Sequence, residues 1–368
     1  MRRNEVIERL AISLLLILCL GAPACSSNSK KANTLSEGPP ASDKDARAIS
    51  PVWTLPKKHA PQSIESYWTP ARMRSAKPYD LRGSPEQRPS NDSGASRETE
   101  PPSGVDPQLP RRAGMPPKLS RDTTLLLPGV RFARLWLGSN RSAPASTFGK
   151  IFFDRKGEPY VCSGTVVTSK NKSVVWTAGH CIYDEAGVHT NWIFVPGYKR
   201  GAKPFGTFRA SDAHSMFAPN AWFDSLDQRF DVAGVAVRPI RGTQNVEDAV
   251  GSQGIKFNQS PRETFAAFGY PEADPFNGER LYWCNSAVRG RGYPQGTGPA
   301  TLQIDCDMSG GSSGGGWIIG SYKGHVGWGW VNSVVSYHND DKATPKFGPY
   351  MGKVAREVWD LAQTYGLS

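Results

Sequence analysis

The sequence predicts an all-β fold, a barrel or sandwich, with one C-terminal α-helix and a long leader that has no core of its own. Three observations carry this. From about Thr147 onward, short runs of β-branched and aromatic residues alternate with Gly, Pro, Asn and Asp, the pattern of many short strands joined by turns. Near the end the apolar spacing changes to three and four. Before Pro128 no period of either kind is sustained.

The elements follow in chain order. Arg2, Arg3 and Arg9 precede an apolar stretch from Leu10 to Leu20 and the small residues Ala22-Pro23-Ala24, so residues 1–24 read as a signal peptide. Cys25 follows directly and opens Ser26-Ser27-Asn28-Ser29, the arrangement of a bacterial lipoprotein, which makes Cys25 a candidate lipid anchor. The expected location is therefore outside the cell or on its envelope. No apolar run reaches the ~20 residues a bilayer-spanning helix needs, which excludes a multi-span membrane protein.

Residues 25–140 read as a Pro/Ser-rich basic linker or propeptide, largely disordered. Ser26 to Pro128 holds 16 of the 30 prolines and only scattered apolar residues, too few to offset the entropy of ordering a chain. The exception is Thr123 to Leu137, where Leu125, Leu126, Leu127, Val130, Phe132, Leu135 and Leu137 can form a short packing strand. Residues 141–368 are the folded domain. Its expected strands are Gly149 to Phe153, Tyr160 to Thr168, Ser173 to Ala178, Trp192 to Pro196, Val232 to Val237, Thr264 to Phe268, Leu281 to Cys284, Leu302 to Cys306, Gly316 to Ile319 and Val326 to Tyr337. Met351, Val354, Val358, Leu361, Ala362 and Tyr365 then share a helical face, with Gly366 placed to end it.

The formal charge of +11 invites a nucleic-acid or membrane-surface reading. Its location argues otherwise: residues 26–140 hold 18 Lys and Arg against 11 Asp and Glu, whereas residues 141–368 hold 23 against 20. The basicity belongs to the leader, and no specific nucleic-acid partner is expected. Non-specific binding of the leader to anionic polymers is an alternative that salt would weaken. Cys19 lies in the signal segment, and Cys162, Cys181, Cys284 and Cys306 remain for two disulfides in an oxidising compartment, with three pairings open.

Two motifs carry chemistry: Thr177-Ala178-Gly179-His180-Cys181 after an apolar strand, and Gly310-Gly311-Ser312-Ser313-Gly314-Gly315. A serine hydroxyl needs a neighbouring base to act as a nucleophile, and an imidazole that titrates near neutrality is suited to that role. A carboxylate must then fix the imidazole tautomer. Asp231, in Arg229-Phe230-Asp231-Val232-Ala233, precedes a strand-like run, as its competitors Asp212, Asp224 and Asp227 do not. Glycines beside the serine let backbone N–H groups converge on a developing oxyanion.

Together and in this order, these residues resemble the chymotrypsin-like (trypsin-like) serine peptidases, in particular the secreted microbial branch with TAGHC and GGSSGG boxes. The resemblance covers about Thr147 to Tyr365. Asp231 lies 51 positions after His180, and Ser313 lies 82 after Asp231, compatible with two similar barrels sharing one site.

The resemblance implies two antiparallel six-stranded β-barrels and a secreted serine endopeptidase acting on protein or peptide substrates. It implies a monomer, with no cofactor and no metal. It assigns Ser313 as nucleophile, since the reactive serine is followed by Gly-Gly, with His180 as acid and base and Asp231 as its orienting partner. The oxyanion donors would be the amides of Gly311 and Ser313. Cys162 and Cys181 match the family's histidine-loop disulfide, leaving Cys284 with Cys306. Asp307 falls where trypsin selects Lys or Arg, although it can equally hydrogen-bond its own loop; Asn332, Ser333 and Val334 would form the far wall of the pocket.

Two departures matter. Ser312 stands where trypsin has the acid that pairs with a new N-terminus, and Gly316 stands where the family usually has Pro. If the leader is the propeptide of a zymogen, its removal would act by unblocking or another rearrangement, and the site could form without cleavage. Arg111-Arg112 is a candidate processing pair or a solvated one. His189, His214, His325 and His338 lack zinc-ligand spacing and read as surface or loop residues. The alternative from another class is an inactive relative that keeps the fold to bind envelope or protein ligands.

Overall fold

A computed structural model describes residues 49–51, 63–86, 100–110, 114, 130–296, 298–339 and 344–367. These lie in one compact unit, Ala41–Ser368. The expected signal peptide, the candidate anchor Cys25 and the pair Arg111-Arg112 lie outside the described residues.

Six antiparallel strands close the first barrel. Phe148–Arg155 pairs with Glu158–Val167, which pairs with Val174–Thr177. Ala233–Pro239, Phe208–Ala210 and Thr190–Pro196 then lead back to Phe148–Arg155. The runs are buried along both faces because one face fills the barrel and the other meets neighbouring elements. Phe148, for example, stacks on Phe268 of the second barrel with ring centroids 4.3 Å apart.

The second sheet runs from Lys346–Gly348 through Thr301–Ile304, Tyr282–Gly292, Thr264–Gly269 and Gly316–Ile319 to Trp330–Val334. It meets itself because Tyr337–His338, the continuation of that last run, pairs with Lys346–Gly348. The helix Lys353–Thr364 lies on the first barrel against Met216–Pro219 and Ala233–Pro239, burying Val354, Val358, Trp359 and Ala362. Its C-terminal carbonyls of Ala362 and Tyr365 accept bonds from the Asn171 side chain at 2.7 and 3.1 Å.

The described parts of the leader are structured, which sharpens the expectation of a largely disordered segment. Short helices Ile64–Tyr67 and Pro70–Arg74 start at Ser63 and Thr69, whose hydroxyls accept bonds from Ser66 and Arg72 amides. Trp68 and Met73 are buried against the first barrel, and Trp68 Nε1 donates to the Asn191 carbonyl at 2.6 Å. Arg72 pairs with Asp154 at 2.9 Å. Further on, Ser103–Val105 adds to Gly254–Phe257, and Val130–Leu135, within the expected exception, adds to Tyr282–Gly292. The leader's apolar residues are too sparse for their own core, so they use the core already built.

Candidate active site

His180 sits in the single-turn helix Gly179–Cys181 that ends the strand Val174–Thr177, locked there by the disulfide Cys162–Cys181. The second disulfide joins Cys284 and Cys306. Asp231 follows the turn Gln228–Phe230 and precedes the strand Ala233–Pro239. Both residues come from the first barrel, and their side chains are 0% exposed.

The carboxylate of Asp231 is satisfied from three sides. His180 donates its backbone N–H to Oδ1 at 2.8 Å and its Nδ1–H to Oδ2 at 2.8 Å, while the Ser336 hydroxyl donates to Oδ2. These bonds hold the carboxylate so that Oδ2 faces Nδ1 of His180, which orients the imidazole. The other ring nitrogen, His180 Nε2, is buried without a hydrogen-bond partner.

Ser313 comes from the second barrel, in the loop between Thr301–Ile304 and Gly316–Ile319. The loop is held by a chain of bonds. Ser312 Oγ donates to the Ser309 carbonyl at 2.7 Å, the Gly314 N–H to Val335 at 2.7 Å, and the Gly315 N–H to Ser312 at 3.0 Å. Ser163 ties it to the first barrel, its N–H reaching the Ser313 carbonyl at 2.7 Å and its Oγ the Gly311 carbonyl at 2.9 Å. Two glycines are required. Gly311 has φ +93°, and a Cβ on Gly315 would stand 1.9 Å from the Phe268 carbonyl oxygen.

The side chains of His180 and Ser313 are linked through an unexpected residue. The Tyr79 ring stacks on the His180 ring, with centroids 5.1 Å apart and 27° between planes, and Ser313 Oγ donates to the Tyr79 carbonyl at 3.4 Å. The Gly311 N–H donates to the same carbonyl at 3.0 Å.

The expected pocket residues are tied to neighbouring segments. Asp307 Oδ1 accepts a bond from the Ala133 N–H of the leader, Asn332 Nδ2 donates to Lys256, Ser333 Oγ donates to Pro349, and Val334 is in the core. The segment that reaches the site is two to four positions later, Ser336 to His338.

The histidine expectation also needs correction: His189, His325 and His338 are buried, and of the four only His214 is exposed. The His189 Nε2–H donates to the His180 carbonyl at 3.0 Å, and its ring stacks on Phe153 at 4.4 Å. Burial pushes its pKa down to about 4, so it is neutral at neutral pH. Among the described residues, Cys162, His180 and Cys181 are close enough to suggest a metal site. Their two sulfurs are bonded to each other, which leaves no thiolate to ligate.

The chain is similar to several solved proteases. Protease Anisep from Arthrobacter nicotinovorans is 40% identical over 61% of this chain and 98% of that one, with a TM-score of 0.55. The thermostable serine protease AL20 from an extremophilic microorganism is 33% identical over 60% of this chain and 99% of that one, at 0.54. A Glu endopeptidase, 16% identical over 63% of this chain and 96% of that one at 0.50, shares the fold. Among curated proteins, the extracellular metalloprotease of Bacillus subtilis (strain 168) is 26% identical over 121 residues, 33% of this chain and 30% of that protein's length. No family model matches.

Proposed function

The chain belongs to the chymotrypsin-like serine proteases, and from this premise we propose that it is a secreted serine endopeptidase working through Ser313, His180 and Asp231. The observation that carries the proposal is the fully buried Asp231 carboxylate, which accepts from His180 Nδ1 and Ser336 while His180 Nε2 is left without a partner. That nitrogen is the one a serine must reach.

In the proposed reaction, Ser313 Oγ attacks the substrate carbonyl carbon and its proton passes to His180 Nε2. The Gly311 and Ser313 amides hold the oxyanion, and the Asp231 side chain orients the imidazolium. Collapse breaks the C–N bond, the amine departs with the proton from His180, and water hydrolyses the acyl-serine by the same route. Among the described residues, the Cys162, His180 and Cys181 group offers one nitrogen and no thiolate, a donor set that does not fit a metal.

Secretion rests on the signal-peptide pattern of residues 1–24 and is supported by two disulfides, which persist in oxidising compartments. Cys25 is the proposed lipid anchor if the chain stays on the envelope. The test is fluorophosphonate labelling and a peptide-library profile of the folded protein after limited proteolysis of its leader, beside Ser313→Ala. Labelling and cleavage are expected for wild type, with a loss of about 10⁴-fold or more in the variant. An unlabelled processed wild type would favour the inactive, ligand-binding alternative.

A further inference from the structure

Residues 77–83 lie across the site from end to end. Lys77–Pro78 runs parallel to Tyr160–Val161 on the strand that carries Cys162, and the Tyr79 N–H donates to the Val161 carbonyl at 3.1 Å. At the centre, the Tyr79 carbonyl takes the Gly311 N–H and the Ser313 hydroxyl, which the proposed reaction reserves for the oxyanion and for attack. Its ring covers His180, and its hydroxyl donates to Asp184. Beyond it, both Asp80 carboxylate oxygens lie 2.9 Å from Nε2 of His338, which is 1% exposed. Leu81–Arg82 then runs parallel to Tyr337–His338, and the Gly83 N–H donates to the His338 carbonyl at 3.0 Å.

The direction of this segment decides what it does. Cleavage at the Tyr79 carbonyl would make the Asp80 nitrogen the leaving group, and His180 would have to protonate it. Here the imidazole is stacked on the Tyr79 ring, beside the incoming chain. The outgoing chain, with the Asp80 nitrogen, turns toward His338. The carbonyl takes the Gly311 amide, one of the two proposed oxyanion donors, and the chain after it leads away from the Cys162 strand to Tyr337–His338.

The Asp80 anchor is electrostatic. Burial alone would raise its carboxyl, but the His338 hydrogen bond and the charges of His338, Lys346 and Arg82 hold it below the usual range. The catalytic loop is already folded under the segment, since Ser312 bonds Ser309 and the Gly311 N–H is in use. Occupation of the site, rather than an unformed loop, separates this state from an open one.

Resting on the serine-protease reading, we propose that residues 77–83 are an intramolecular inhibitor, bound in the polarity opposite to a cleavable peptide, and that the precursor is a zymogen opened by displacing this segment. Tyr79 plugs the oxyanion position and Asp80 anchors the plug on His338.

The test compares fluorophosphonate labelling rates of the full-length protein, its Asp80→Ala and Tyr79→Gly variants, and the form processed by limited proteolysis. Loss of a hydrogen bond to a charged group should speed labelling of full-length Asp80→Ala by about 10- to 100-fold over wild type. A synthetic peptide spanning residues 75–85 should inhibit the processed form competitively and be recovered intact, a readout that does not depend on how the variants fold. Full-length wild type labelling as fast as the processed form, or cleavage of the peptide between Tyr79 and Asp80, overturns the inhibitor. Failure of the processed form to label at all overturns the serine-protease reading beneath it, so the two failures are distinct.

Discussion

A buried histidine beside the proposed base sets a pH limit on the enzyme. His189 donates to the His180 carbonyl and is held neutral with a pKa of about 4, against 6.5 for an exposed imidazole. The unfolded chain therefore takes up a proton that the native state refuses as the pH falls between these values. Stability from this group is full above about pH 6.5 and drains away toward pH 4, by up to about 3 kcal/mol. His189→Gln keeps an N–H for the carbonyl but has nothing to titrate. Its thermal midpoint should fall less than that of wild type between about pH 7 and pH 4.5; equal slopes would remove the idea. The same residue shows where sequence reading stops. His180 and Ser313 were legible because their neighbours Cys181 and Gly314-Gly315 form a recognisable box. His189, His338 and Ser336 stand alone in the sequence, and only the fold brings them to the site.

The elements divide between those whose burial is local and those whose burial is borrowed. The helix Lys353–Thr364 was legible from its apolar spacing, and the structure buries Val354, Val358 and Ala362 of the expected face on the first barrel, but it leaves the expected Leu361 exposed and seats Trp359 there instead. Trp359, with Nε1 donating to the Thr168 carbonyl at 3.1 Å, is packed at its centre, whereas Leu361 on the other side is 40% exposed. Trp359→Ala should cost about 3–5 kcal/mol in chemical unfolding, while Leu361→Ala should stay under about 1 kcal/mol. Similar losses in both would mean that the helix is not seated as described. The leader helix Pro70–Arg74 also announces itself, with Thr69 as cap and Pro70 in the first turn. Its signal was outweighed by a composition too polar to fold alone. Composition measures whether a segment can build a core, and says nothing about whether Trp68 and Met73 can join another one.

At the scale of the whole molecule, the site exists only where the two barrels meet, because His180 and Asp231 come from one and Ser313 from the other. A buried ion pair spans that junction. Lys150, on Phe148–Arg155 and 1% exposed, meets Glu272 at 2.7 Å, and the Glu272 N–H donates to the Gly310 carbonyl at 2.8 Å, in the loop that presents Ser313. Burial raises the Glu272 carboxyl, and the charge of Lys150 and its hydrogen bond oppose that rise. Lys150→Met strands a carboxylate between the barrels, at an expected cost of about 3–5 kcal/mol. Adding Glu272→Leu removes the stranded charge and should restore most of the lost stability, since a matched apolar pair often replaces a buried ion pair without loss. Activity should separate from stability in that double variant. If Glu272 also fixes the height of the Gly310 loop through Lys150, kcat of the processed double variant stays below wild type with KM little changed, even at wild-type thermal midpoint. Full recovery of kcat along with stability would show that the pair only holds the barrels together, leaving the serine loop to its own hydrogen bonds.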